Sequence, residues 1–286
     1  MSECNHDCSS CKSDCSERKE QQSMLIEVNK DSSIDKVIAV ISGKGGVGKS
    51  LVTSLLACQS ARDGLETAIL DADITGPSIP KAFGVTEKAF GIEGMILPCV
   101  ADNGVKMMSI NLLLEDETQP VIWRGSLISN AVKQFWTDVR WENVNCMFVD
   151  MPPGTGDVPL TALQSLPIAG IVIVTTPQDL VSMIVEKAIK MANMMNVPIV
   201  GIVENMSYYE CPKCGERLEI FGKSKLDEVA KRNNITNIAR IAINPNIATA
   251  CDNGKIDTVK VEGLAEFFAK VNSQIDSQES KKATKK

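Results

Sequence analysis

A chain of 286 residues, 44% hydrophobic and 23% charged, is long enough for one large α/β domain with a substantial core. A net charge of −6 and a pI near 5.1 speak against a general nucleic-acid binder, which carries a basic face. The longest apolar stretch, residues 168–175, has the length of a buried strand and not of a membrane span, and the polar start lacks a secretory apolar core, so a soluble cytoplasmic protein is expected.

Residues 1–33 are rich in Ser, Lys, Glu, Gln and Asp, with one brief apolar run at 24–28. They are expected to form a flexible arm carrying Cys4, Cys8, Cys11 and Cys15. In a reducing compartment, ten cysteines point toward metal or redox chemistry where they cluster. Cys58, Cys99, Cys146 and Cys251 stand alone and are expected to serve as small buried hydrophobes.

From residue 34 the pattern alternates strand and helix. An apolar run at 37–41 leads into GKGGVGKS at 43–50, and a helix at 49–62 ends at Gly64. A second buried strand, 67–70, runs into Asp71 and Asp73 within LDADITGPSIP (70–80). A third, 146–149, ends at Asp150 within FVDMPPGTGD (148–157). Further apolar runs at 171–175, 199–203 and 238–243 alternate with helical patterns at 180–194, 225–233 and 264–275. Unalternating strands of this kind are buried on both faces. The predicted fold is therefore an α/β P-loop NTPase over 34–276, a mostly parallel twisted β-sheet with helices on both faces, and ligands belong at the carboxyl ends of its strands. The polar segment 277–286 is expected to be a disordered tail.

GKGGVGKS satisfies GxxxxGK[ST] between a strand and a helix. Gly43, Gly45, Gly46 and Gly48 let the backbone of the loop, Val47 included, curl around phosphate oxygens and point successive N–H groups at them. Lys49 is placed to contact the β- and γ-phosphates and Ser50 to offer its hydroxyl to Mg²⁺. Asp71 and Asp73, at a strand end beside the loop, suit ordering of Mg²⁺-bound or attacking water. Asp150 has the position of a carboxylate reaching Mg²⁺ through water, and the backbone N–H of Gly154 that of a γ-phosphate sensor. Together the three segments predict ATP binding with slow hydrolysis. Asn205, after the strand at 199–203, suits either a cap or a base contact. No guanine-specific NKxD segment is present, which favours ATP over GTP.

Cys211-Pro-Lys-Cys214-Gly is a CxxC knuckle able to bind one metal or one cluster edge. A zinc site needs two further ligands, and none lies between residues 160 and 250 because the single histidine is His6. A thioredoxin-type pair would sit at a helix start after a strand. A pair lacking its other half suggests two copies meeting across a dimer.

The loop KGGVGKS resembles that of the deviant Walker A dimeric ATPases, which include MinD, ParA and the nitrogenase iron protein. The resemblance implies that Lys44 reaches the partner's nucleotide, that Asp73 lies in a switch positioning the hydrolytic water, and that Asn205 holds the adenine edge. DADITGPSIP, VIWRG (121–125), VDMPPGTGD and VENMSYYECPKCG together resemble the Mrp/Nbp35/ApbC family of iron–sulfur cluster carrier ATPases over roughly residues 34–270. It implies a homodimer holding a labile 4Fe-4S cluster on Cys211 and Cys214 of each subunit. The cluster would come from a scaffold or donor protein and pass to apo-proteins under ATP control, without nucleic acid or membrane. Ser126 departs from the family, whose members usually have proline after WRG. The spacing of Cys4, Cys8, Cys11 and Cys15 differs from the amino-terminal cysteines of eukaryotic relatives, so a second cluster, a zinc site and a free thiol arm all remain open. Competing functions are a MinD/ParA-like positioning or partition ATPase, for which CxxC has no use, and a zinc-bound scaffold clamped by ATP.

Overall fold

The strand that carries the phosphate loop, β1 (Ser32–Ser42), is buried on both faces from Val37 onward, which explains its unbroken apolar run. The computed structural model describes residues 24–116, 123 and 125–283. Cys4, His6, Cys8, Cys11 and Cys15 lie outside the described residues, as do Val121, Ile122 and Arg124 of the VIWRG segment.

In chain order, β1 is followed by α1 (Lys49–Arg62), β2 (Thr67–Asp71), α2 (Ile79–Phe83) and the small hairpin of β3 (Gly91–Ile92) and β4 (Met95–Ile96). Next come β5 (Cys99–Val100), β6 (Lys106–Met108), α3 (Gly125–Thr137), β7 (Glu142–Asp150), α4 (Asp157–Ser165), β8 (Gly170–Thr175) and α5 (Asp179–Met194). The chain closes with β9 (Ile199–Glu204), a second hairpin of β10 (Tyr209–Glu210) and β11 (Arg217–Leu218), α6 (Leu226–Arg232), β12 (Ile238–Arg240), α7 (Pro245–Asp252) and α8 (Leu264–Ala283).

Eight of these strands form one sheet in the order β12-β9-β8-β1-β7-β2-β6-β5. Every pairing is parallel except that of the edge strand β5 with β6. Successive residues of β1 feed opposite layers. Val37, Ala39 and Ile41 join the core under α3, α4 and α5, while Ile38 and Val40 join the core under α1 and α8. The predicted mostly parallel sheet, covered on both faces, is thus the observed one. Its register sets Asp150 beside Val40 and beside Asp71, so the carboxylates of β2 and β7 meet at the end of β1.

Three boundaries differ from those the sequence predicts. The last part of the predicted flexible arm is docked, since Ile26 N–H donates to the Ser165 carbonyl at 2.8 Å and Trp136 Nε1 donates to the Ile26 carbonyl at 2.9 Å. The Asn29 amide donates to the carbonyls of Thr137 and Val139. β12 stops at Arg240, short of residue 243, where its partner β9 ends at Glu204, and beyond that point only single main-chain bonds to Ser207 and Tyr208 continue the contact. Finally, α8 continues to Ala283 through part of the expected tail. Residues 276–283 (DSQESKKA) contain no Gly or Pro and five good helix formers, Gln278, Glu279, Lys281, Lys282 and Ala283, but no apolar face, so periodicity alone stops at Ile275.

Candidate functional site

The phosphate loop joins β1 to α1, and two of its glycines are fixed by close neighbours. A Cβ on Gly43 would stand 1.8 Å from Ile184 Cγ2, and one on Gly48 would stand 2.2 Å from Asn205 Nδ2. Gly48 also has φ +82°, the left-handed region that glycine adopts without steric cost.

Lys49, at the first position of α1, is buried, with Nζ 2.7 Å from Asp150 Oδ2 and 3.5 Å from Asp73 Oδ2. Ser50 Oγ donates to the same Asp150 oxygen at 2.6 Å. Thr53 Oγ1, one turn later, donates to Asp150 Oδ1 at 2.7 Å. Thus the predicted Lys49, Ser50, Asp73 and Asp150 are brought together around one fully buried carboxylate. A cavity of about 510 Å³ opens above them, lined by Gly45, Gly46, Gly48, Lys49, Ser50 and Asp73 among others. Backbone N–H groups at a helix start, an ammonium and hard oxygen donors suit a nucleotide's phosphates with Mg²⁺.

Asp71 stands behind this group, accepting from Ser109 Oγ at 2.9 Å and from Asp73 N–H at 3.2 Å. Burial, together with the negative charge of Asp150, pushes its carboxyl up to about 8. A carboxyl that binds its proton more tightly folded than unfolded adds stability below about pH 4, and that stability is lost as pH rises through the folded value. Thermal unfolding of the nucleotide-free protein is therefore expected to weaken between pH 5 and pH 9, by about 3 °C or more. Asp71→Asn should flatten that profile. An unchanged slope in the variant would place the dependence elsewhere.

Three predicted residues are engaged differently from the sequence expectation. Gly154 N–H, expected to sense a γ-phosphate, donates to the Ser42 carbonyl at 2.8 Å. Asn205, expected at a base edge, is buried and donates from Nδ2 to the Val47 carbonyl at 3.0 Å, so here it anchors the phosphate loop. Lys44 Nζ lies 2.5 Å from Oε1 of its own chain's Gln178, at the amino-terminal cap of α5.

The CxxC pair sits at the tip of the β10–β11 hairpin. Cys211 N–H donates to the Glu216 carbonyl, and Gly215 N–H returns to the Cys211 carbonyl at 2.8 Å. Backbone N–H groups of Lys213 and Cys214, and then the Cys214 side chain, hold the Cys211 thiol below its ordinary range. Cys214 is exposed and both thiols are free. Among the described residues, no third side chain of ligand type joins the pair. By contrast, burial pushes the thiols of Cys58 and Cys146 up to about 12, so both remain inert.

Sequence reasoning missed Thr53, Ser109 and Gln178, and it placed Cys251 among the buried hydrophobes. Cys251 is only partly buried and lines the phosphate cavity with Asp252 of α7. The packing of α7 near α2 brings it there, and no local motif announces it.

Comparison with known proteins matches residues 33–276 to a ParA family model described as NUBPL iron-transfer P-loop NTPase. The "Iron-sulfur cluster carrier protein" of Clostridium perfringens is 45% identical over 238 residues, 80% of this chain and 84% of that protein. Its namesake in Methanocaldococcus jannaschii is 42% identical over 292 residues, covering 99% of this chain and 100% of the relative. A solved nucleotide-binding protein from Archaeoglobus fulgidus, in complex with ADP, superposes with a TM-score of 0.74 at 42% identity, over 82% of this chain and 92% of that one. MinD in the MinC:MinD complex of Aquifex aeolicus, at 15% identity, a TM-score of 0.58 and 85% and 96% coverage, shares the fold.

Proposed function

Because the chain belongs to the ParA family of NUBPL iron-transfer P-loop NTPases, we propose that it is an ATP-dependent iron–sulfur cluster carrier. It works as a cytoplasmic homodimer that takes a 4Fe-4S cluster from a scaffold or donor protein and passes it to apo-proteins. The observation that carries this reading is the knuckle of Cys211 and Cys214, with one thiol already biased toward thiolate and no further ligand beside it among the described residues. Two such knuckles facing across a twofold axis make four thiolates, the ligand set of a 4Fe-4S cluster.

The phosphate loop supplies the control. Lys49 leaves its ion pair with Asp150 to neutralise the β- and γ-phosphates, and Asp73 is near enough to Lys49 to orient attacking water at the same centre. Mg²⁺ would be held by Ser50 Oγ and, through water, by Asp150, adding charge neutralisation on the phosphates. Lys44 of one subunit completes the other's site, which keeps hydrolysis slow until the dimer forms. Gly154 must exchange its bond to Ser42 before it can meet a γ-phosphate, so the switch loop has two positions. A positioning ATPase shares this fold but leaves the cysteine knuckle without a role.

Anaerobic reconstitution tests the reading. The protein should hold about four iron and four sulfide per dimer and restore an apo 4Fe-4S protein faster with Mg·ATP than without it. A reconstituted dimer that holds no iron, or one whose cluster never leaves, would sink the carrier reading.

A further inference from the structure

The chain leaves β9 at Glu204 and enters the cysteine hairpin through Asn205, Met206 and Ser207. Asn205 faces the phosphate loop. Its amide donates to the Val47 carbonyl at 3.0 Å, and its nitrogen occupies the space that a Cβ on Gly48 would need. Glu204 faces the other way. Its Oε1 accepts from Ser207 Oγ at 2.7 Å and its Oε2 accepts from Ser224 Oγ at 2.9 Å. Those two serines stand at the two ends of the excursion that carries Cys211 and Cys214. One buried carboxylate therefore clamps both roots of the hairpin, and Ser207 N–H, donating to the Ile241 carbonyl at 2.9 Å, fixes the outgoing strand.

Between these two anchors lies Met206, with φ +55°. A bulky L-residue avoids this left-handed conformation unless its surroundings impose it. Among the described residues, the other such torsions fall on Asn196 and Asn234, which tolerate them, on Glu93 in the two-residue turn of the β3–β4 hairpin, and on Glu142 where the chain enters β7. At Met206 the constraint comes from both sides at once. Asn205 is tied to the phosphate loop, and Ser207 is tied to the clamp and to β12's continuation. Any movement of the loop that carried Asn205 with it would have to be absorbed at this torsion or passed to the hairpin.

We propose that Met206 is the positioning residue of a torsional link, through which the state of the phosphate loop sets the placement of Cys211 and Cys214. The link rests on the carrier reading for its purpose, but it can be measured without any cluster. Full-length metal-free protein is treated with iodoacetamide with and without Mg·ATP, and labelling of the peptide holding Cys211 and Cys214 is followed by mass spectrometry. The native protein should show a change in labelling rate of about fivefold or more on adding Mg·ATP. Met206→Gly, which removes the torsional constraint, should shrink that ratio to less than about 1.5-fold while ATP affinity stays within about twofold of native. Met206→Ala keeps a Cβ, and hence the constraint, and should retain the native ratio. A native ratio of one, a glycine variant with the native ratio, an alanine variant as impaired as the glycine one, or loss of ATP binding in the glycine variant would each overturn the link. Failure of the carrier reading is seen separately, in the iron and sulfide content of the reconstituted native dimer.

Discussion

Replacing either Cys211 or Cys214 by serine is expected to take reconstituted iron from about four per dimer to near zero. The two thiols differ in their surroundings, and the shared-site reading requires both. Cys211 is pre-set by the N–H groups of Lys213 and Cys214, which favour its thiolate before any metal arrives. Cys214 is the more exposed of the two. Losing either leaves one thiolate per subunit, and two thiolates across a dimer are half the set that a 4Fe-4S cluster needs. Because both side chains sit on a solvent-facing hairpin, unfolding temperature should move by less than about 1 °C. Cys146→Ser serves as the contrast, since burial keeps that thiol protonated and the variant should retain its iron. Full iron and sulfide in both Cys211→Ser and Cys214→Ser would remove the shared-site model.

How much of this was legible in the sequence depends on the range of each interaction. The strands at 171–175 and 199–203 were readable because burial on both faces leaves an unbroken apolar run, and the phosphate loop was readable because its geometry demands glycine at fixed spacing. Asp150 was readable as the polar residue that ends such a run. Helix α3 shows the period in its buried residues 128, 131, 132, 135 and 136, so it was available to the same reasoning. The docking of residues 24–31 was not, because it depends on side-chain amides and an indole meeting main-chain carbonyls about a hundred residues away. Polar contacts of that kind leave no periodic trace. The same limit applies to Asn205, whose bond to the Val47 carbonyl spans 158 residues and props the phosphate loop, a contact that no local pattern announces. It applies again to Gln178, which holds Lys44 in a way that only the register of β1 beside β8 creates.

That last contact bears on the other large effect, the loss of Lys44. Its ammonium is held by Gln178 of its own chain, a neutral partner that can be exchanged for a phosphate without breaking an ion pair. Lys49, by contrast, is committed to Asp150 and Asp73 within its own site. The two lysines of one loop thus have different partners, and the proposed function gives them different tasks, Lys49 binding phosphate in its own subunit and Lys44 acting across the proposed dimer. Lys44→Ala is expected to lower ATP turnover by about 10³-fold, the scale of a charge supplied in trans to phosphoryl transfer, while ATP affinity falls far less. Lys49→Ala should instead remove binding. Mixing the two inactive variants then distinguishes action in trans from action in cis. Random exchange makes about half of the dimers mixed, and each mixed dimer has one site combining an intact Lys49 with the partner's intact Lys44, so about a quarter of native turnover should return. If Lys44 serves its own subunit, no site in any dimer is complete and the mixture stays inactive.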